Sequence, residues 1–368
     1  MRVTGVLMGE ISAARRAAFD VLQAVARGGY AADILRARTR QLTERDAGLT
    51  GQIVFGCLRF QSQLDHLIAR YSGRNPGELD QAVLIILRAA IFQLRYLTKI
   101  PTHAAVHEAV ELAKHHKRAA AGFVNAVLRK VNRDPVSWPD LPAELSCPAW
   151  LLDRWTAHFG AEQARQIAAA ALEEPVPYMR NQRFQDIGSQ ALIPLLDLQP
   201  GHTYLDLCAA PGNKTLQALE TPLALAVACD ISPKRIRDIP PVCPRVILDA
   251  TRPLPFEAKF DRILVDAPCS GTGTLSRNPE IKWRVQKPDF ANFHARQLEI
   301  VSHAVRLLAQ DGKLLYATCS LESEENEDVV RTLMERVPDL RCEQTLWRLP
   351  GREPGDGFYA ALLSWRTL

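Results

Sequence analysis

Two cysteines stand in matching contexts. Asp266-Ala-Pro-Cys-Ser-Gly-Thr-Gly273 and Tyr316-Ala-Thr-Cys-Ser320 each place a thiol on a loop directly after an apolar run. A single such cysteine is ordinarily a small core residue. Two in the same setting, beside the carboxylate of Asp266, point to thiol chemistry in one cleft. A further stretch, Leu205-Asp-Leu-Cys-Ala-Ala-Pro-Gly-Asn-Lys-Thr215, has an apolar strand end, a turn of small residues and a helix start from Lys214. Backbone amides at such a turn meet partly charged ligand groups. The turn lacks the G-x-G-x-x-G spacing of a dinucleotide site, which counts against NAD, FAD and a dehydrogenase. It suits a cofactor without phosphates, such as S-adenosylmethionine.

A soft nucleophile beside a methyl donor suits methylation of a pyrimidine at C5. Cytosine C5 is too electron-poor to attack a methylsulfonium unaided. A thiolate adding to C6 makes an enamine whose C5 takes the methyl group, and a carboxyl at N3 and N4 stabilises that adduct. Loss of the C5 proton and expulsion of the thiolate complete the cycle. Asp230 follows Asp206 at the end of the next apolar run. It is placed either to accept ribose hydroxyls or to cap a helix from Ser232-Pro233. Asp249, after a third run, is placed for an adenine amino group.

These residues need a scaffold. The runs Ala224–Cys229, Val246–Leu248, Phe260–Val265 and Lys313–Ala317 read as buried strands, with Leu298–Leu308 as an intervening helix. That pattern predicts a mostly parallel sheet covered by helices on both faces, with ligands at the strands' carboxyl edge. Tyr178–Phe184 reads as a short strand carrying Arg180 and Arg183, and Ile187–Leu198 as a helix. Trp150–Leu172 is helical, and Pro135, Pro139, Pro142 and Pro148 mark 134–149 as a linker.

Residues 12–131 read differently, as an all-α bundle. Ser12 precedes a helix carrying Ala18, Val21, Leu22 and Val25, and the same period recurs through Val83–Leu94, Val106–Ala113 and Phe123–Val131. Residues 1–134 hold 20 Lys+Arg against 11 Asp+Glu, while the whole chain carries only +4. The basic surplus is either a solvated helical face or a polyanion-binding surface. His103 and His107 lie at i and i+4, but no third ligand has suitable spacing and they read as ordinary helix histidines. The eight cysteines form no Cys-x-x-Cys pair, and no run is long enough to cross a membrane. Reduced thiols and a cytoplasmic location are expected, and nothing asks for a membrane, a metal or a protein partner.

Two resemblances sharpen the reading. Asp46–Arg59 (DAGLTGQIVFGCLR), Leu87–Leu94, Pro101–Val106 and Phe123–Arg129 resemble the NusB-type helical RNA-binding domain, over roughly residues 12–133. LDLCAAPGNKT, DAPCSGTGTLSRNPEIKW, YATCSLESEEN and GDGFYAAL resemble the Fmu/Sun family of S-adenosylmethionine-dependent RNA cytosine-C5 methyltransferases. Together they are similar to bacterial 16S ribosomal RNA enzymes of the RsmB type. The resemblance implies an all-α NusB-like domain (1–133), the linker, a connecting region (150–198) and a class I, Rossmann-like methyltransferase domain (199–368). It also implies Cys319 as the C6 nucleophile, Cys269 as the residue assisting adduct breakdown and Asp266 as the cytosine contact. Cys208, Ala209, Ala210, Pro211, Gly212, Asn213, Lys214, Asp230, Asp249 and Asp266 would line the cofactor site. The implied partner is 16S rRNA, naked or in early assembly, with tRNA or another rRNA site as the alternative.

Three features depart from that family. Asn213 stands where a second glycine is usual, the RNA-contacting subdomain expected near 181–185 is missing, and Ser232–Pro244 is too short for a full helix. A non-catalytic RNA-binding or assembly factor with a relic methyltransferase domain is the competing expectation they raise. Arg180, Arg183, Lys282, Trp283 and Arg284 are candidate RNA contacts. Trp283 between basic residues suits either stacking on a base or packing.

Overall fold

The computed structural model describes residues 11–366. The first ten residues of the predicted 1–133 domain, and the last two of the chain, lie outside the described residues. The chain divides into two compact units: residues 1–154 with 278–284, and residues 155–277 with 285–368.

The first unit is helical. Its main helices are Ala13–Val25, Ala31–Thr39, Glu44–Arg59, Gln61–Ser72, Gln81–Tyr96, Thr102–Lys117 and Ala121–Leu128. Local chemistry sets several of their ends. Thr43 and Asp80 cap helix starts, accepting from Asp46 N and from Ala82 and Val83 N. Gly73 stops a helix at φ 69°, in the left-handed region open to glycine. Ser12 sits at a cap position, yet its hydroxyl donates to Glu108 Oε2 (2.5 Å) and none of its own helix's amides bonds to it. The apolar stripes meet around Phe19, Ile53, Leu64, Ile68, Leu87 and Ile91. The proline-rich stretch is ordered: Asp140 caps a short helix, Leu141–Glu144, and Gln63 Nε2 donates to the Glu144 carbonyl (2.6 Å).

The second unit is built on strands β1 Met179–Arg180, β2 Arg183–Phe184, β3 Thr203–Asp206, β4 Leu225–Asp230, β5 Arg245–Ile247, β6 Phe260–Asp266, β7 Leu308–Thr318, β8 Leu340–Arg348 and β9 Phe358–Trp365. Seven form one sheet in the order β5-β4-β3-β6-β7-β9-β8. Pairing is parallel from β5 across to β7, and β9 runs antiparallel between β7 and β8. The apolar runs are continuous because both faces are covered. Leu205, Ile263, Val265, Leu314 and Tyr316 face one core layer with Leu298, Val301 and Val305. Tyr204, Leu264, Leu315 and Ala317 face the other with Leu192, Ile193 and Leu196. The sheet order reverses at β3, so the carboxyl ends of β3 and β6 flank the crevice where this architecture binds ligands.

Three expectations change. Tyr178–Phe184 is a hairpin, since Asn181 and Gln182 adopt φ 45° and 62° and reverse the chain between β1 and β2. Ile187–Leu198 is two short turns, Ile187–Gln190 and Ile193–Leu196, because Pro194 opens the second and has no N–H to continue a helix. Trp150–Leu172 splits at Gly160, which sits at φ 84°. The Ser232–Pro244 region holds only the 3-10 turn Arg235–Asp238, as its prolines require.

Candidate active site

The cofactor-type turn leaves β3 at Asp206. Gly212 takes φ 100°, and a Cβ there would meet Ile239 at 3.0 Å, so this glycine is needed twice over. Asn213 is the first residue of the helix Asn213–Ala218, and the left-handed turn falls on Gly212 before it. Asparagine is therefore not required for its tolerance of positive φ. Its side chain holds the hairpin: Nδ2 donates to the Phe184 carbonyl (2.8 Å) and Oδ1 accepts from Arg183 Nε (3.2 Å).

Carboxylates line the strand ends as expected. Asp206 is buried, and its Oδ2 accepts from Thr215 Oγ1 (2.7 Å) and Tyr204 OH (3.4 Å), whereas Oδ1 has no partner. Burial pushes its pKa up to about 7. Asp230 accepts from Ala210 N (3.3 Å) and Ser232 N (2.8 Å), so it ties the turn to β4 and caps the next segment; Arg235 Nη2 reaches it at 3.1 Å. Asp249 accepts from Thr251 Oγ1 (2.7 Å) and N (3.0 Å), bonds that hold its carboxyl below the usual range. Cys208 is a half-buried thiol pushed upward by desolvation, which makes it a wall of the turn and a poor nucleophile.

The two cysteine loops meet. β6 and β7 are parallel neighbours with Asp266 opposite Ala317, and past their ends Cys269 Sγ and Cys319 Sγ lie 3.2 Å apart. Contact with Cys319 and then burial drive the Cys269 pKa upward. Asp266 receives Lys214 Nζ at 2.6 Å. Burial opposes the charge on Lys214, but Asp266 and Asp206 outweigh it and the net shift is upward, so the lysine stays cationic. Gly273 locks the pair from behind: its N donates to the Cys319 carbonyl (2.9 Å) and its carbonyl accepts from Gly357 N (2.7 Å).

Comparison with known proteins fits this geometry. A family model described as 16S rRNA methyltransferase RsmB/F matches residues 193–364, and the NusB family model matches residues 12–133. Ribosomal RNA small subunit methyltransferase B of Cronobacter sakazakii is 32% identical, across 94% of this chain and 97% of its own. The protein of that name from Salmonella paratyphi B is also 32% identical with the same coverage. The chain belongs to the RsmB/F family of rRNA methyltransferases. The Cronobacter alignment spans 420 positions, more than the 368 residues here, so that relative carries segments this RsmB/F member lacks. Among solved structures, that of PH0851 shares the fold with a TM-score of 0.77 at 20% identity, covering 96% of this chain and 98% of its own. A methyltransferase homologue from Pyrococcus horikoshii shares it with a TM-score of 0.53 at 20% identity, covering 63% of this chain and all of its own.

The expected RNA contacts of this family member divide. Arg180 is paired with Glu220, which also accepts from Asn181 Nδ2 (2.9 Å), and Arg183 rests on Asn213. Both arginines remain partly exposed on a hairpin whose Phe184 and Met179 face solvent. Lys282 needs correcting, whereas Trp283 stays half-buried. Lys282 is 1% exposed with Nζ on the Arg59 carbonyl (2.9 Å), and Trp283 Nε1 donates to the Leu58 carbonyl (2.6 Å). An ammonium buried in this way does not meet a phosphate. Arg284 stacks over Tyr30, 4.0 Å from the ring centroid. The sequence cluster of Lys, Trp and Arg is the same whether it faces RNA or a helix end, so only the fold separates the two.

Burial lowers the Lys282 pKa from 10.5 to about 7. Between those values the unfolded chain binds the proton more tightly, so this lysine costs stability below pH 7 and the cost fades as pH rises toward 10.5. Lys282→Met is expected to stabilise the chain by roughly 2–4 kcal/mol at pH 6 and far less at pH 10. Thermal melts at the two pH values check this.

Sequence reasoning passed over two groups. Arg277 bridges Asp186 (2.7 Å) and Asp356 (2.8 Å), fixing the C-terminal Gly355–Gly357 turn. Glu325 lies buried between the cysteine loops. Both Asp356 and Glu325 sit inside quoted motifs, but spacing alone does not say what they touch. Among the described residues no helix is long and apolar enough to cross a membrane, and no cluster of three metal-ligating side chains is present.

Proposed function

We propose that this RsmB/F enzyme transfers the methyl group of S-adenosylmethionine to C5 of a cytosine in 16S rRNA, with Cys319 as nucleophile. The observation that carries the reading is the 3.2 Å thiol pair beside the Asp266–Lys214 ion pair. The turn suits the cofactor. Asp206 Oδ1 is a buried acceptor without a partner, suited to an ammonium, and Asp230 and Asp249 stand at the next two strand ends for ribose and adenine. When bound, the cofactor supplies an electrophilic methyl group.

The chain's own residues do the rest. Cys319 adds as thiolate to C6, which makes C5 nucleophilic. Cys269, held protonated by its neighbour and by burial, donates S–H toward that sulfur and assists expulsion of the thiolate as the C5 proton passes to solvent water. Asp266 keeps one oxygen on Lys214 and turns the other to the N3–N4 edge of the base. The basic helical unit holds the RNA, and a cytoplasmic location follows from that substrate.

Bisulfite sequencing of 16S rRNA from a strain lacking the gene is expected to show one cytosine that loses protection and regains it on complementation. No such cytosine would overturn the rRNA assignment. RNA binding by the full chain should weaken with salt. If about six excess charges meet phosphates, log K falls against log salt with slope roughly −4 to −5, and a flat response contradicts a basic docking surface.

A further inference from the structure

We propose that Glu325 is a positioning residue that sets the spacing of the two catalytic thiols. The pairing of β6 with β7 ends before the cysteines, its last partners being Asp266 and Ala317. Glu325 spans the gap. Its Oε1 accepts from the hydroxyls of Ser270 and Ser320, the residues that follow Cys269 and Cys319. Its Oε2 accepts from Ser270 N (2.8 Å) and Gln297 Nε2 (3.0 Å), and the same Gln297 amide donates to the Pro268 carbonyl (3.0 Å). The two serine hydroxyls lie 3.1 Å from each other.

The carboxylate is fully buried, and each of its oxygens carries two donors. No ion pair joins it among the described contacts, so the donors alone hold it. Its own backbone is fixed by Tyr316 OH, which donates to the Glu325 carbonyl (2.6 Å). Both cysteine loops and the helix Lys287–Val305 are therefore joined through one side chain, and a strand of the sheet holds that residue's backbone. It reaches the residue after each cysteine and is wholly enclosed by these donors, so it acts through the thiols.

The substitution series separates geometry from charge. Glu325→Gln keeps an oxygen for Ser270 N and Gln297, and its amide can donate to the serine hydroxyls, which rotate to accept. Glu325→Ala removes all four bonds. Kinetics with S-adenosylmethionine and rRNA are expected to show Glu325→Ala losing about 100-fold in kcat, the effect of a misplacement near 1 Å. KM for RNA should stay within about 2-fold, and Glu325→Gln should stay within about 10-fold of wild type in kcat. Full kcat in Glu325→Ala overturns the proposal. So does a folded Glu325→Gln as impaired as the alanine variant, which would mean that the charge matters and the spacing does not. Should Glu325→Ala fail to fold, Ser270→Ala/Ser320→Ala takes its place, with the same loss expected and full kcat again decisive against it. The proposal rests on the thiol mechanism, and Cys319→Ala run alongside keeps the two apart. An active Cys319→Ala defeats the mechanism, whereas an inactive Cys319→Ala with a fully active Glu325→Ala defeats only the positioning role.

Discussion

Replacing Cys319 with alanine is expected to lower methyl transfer by at least about 10³-fold, because C5 of cytosine has no route to nucleophilicity once the sulfur is gone. The loss should fall on kcat, since the basic surface and the cofactor turn are untouched. Cys269→Ala is expected to behave differently. In the proposed mechanism bond formation at C6 needs only Cys319, while expulsion of the sulfur lacks its nearest proton donor, 3.2 Å away. A protein–RNA adduct should then accumulate and survive denaturing electrophoresis. Radiolabelled methyl transfer and gel shift measure both variants in one experiment. An active Cys319→Ala would assign the nucleophile elsewhere.

Gly273→Ala should be nearly as damaging, though the residue carries no reactive group. A Cβ at position 273 would lie 2.5 Å from the Gly357 carbonyl oxygen and 2.8 Å from that of Cys319. Both obstacles are backbone and cannot rotate aside. Either the Cys319 loop or the Gly355–Gly357 turn must move by several tenths of an ångström. The turn is anchored by Asp356 on Arg277 and the cysteine loop by Ser320 on Glu325, so neither side yields without breaking buried contacts. Overpacking of this kind costs about 1–3 kcal/mol of stability. Displacing Cys319, the proposed nucleophile, should lower kcat by about 100-fold. Thermal melts with kinetics check the pair of effects, and wild-type kcat with wild-type stability would contradict the close approach.

Much of this architecture was legible in the residues. Unbroken apolar runs such as Ile263–Val265 and Leu314–Ala317 announce strands covered on both faces, and such strands imply parallel pairing with polar residues at one edge. From there the matching Pro-Cys and Thr-Cys loops place two thiols together. What escaped depends on three-dimensional neighbours. The Tyr178–Phe184 hairpin needs two residues at positive φ, a conformation that Asn181-Gln182 does not signal as Asn-Gly would. Lys282 carries the composition of an RNA contact and the burial of a core residue. Asn213, where the resemblance leads one to expect glycine, has a role outside its own turn: it fastens the hairpin through Phe184 and Arg183. Glu325 is an ordinary acidic residue in an acidic stretch until the two loops close around it.

The most direct test of the account is the chemical identity of the trapped adduct. Cys269→Ala is incubated with S-adenosylmethionine and 16S rRNA, the RNA is digested to nucleotides, and the modified peptide is sequenced by mass spectrometry. A methylated cytidine nucleotide on Cys319 is the expected result. A nucleotide carried by any other residue, or no adduct while Cys319→Ala still methylates, would contradict it.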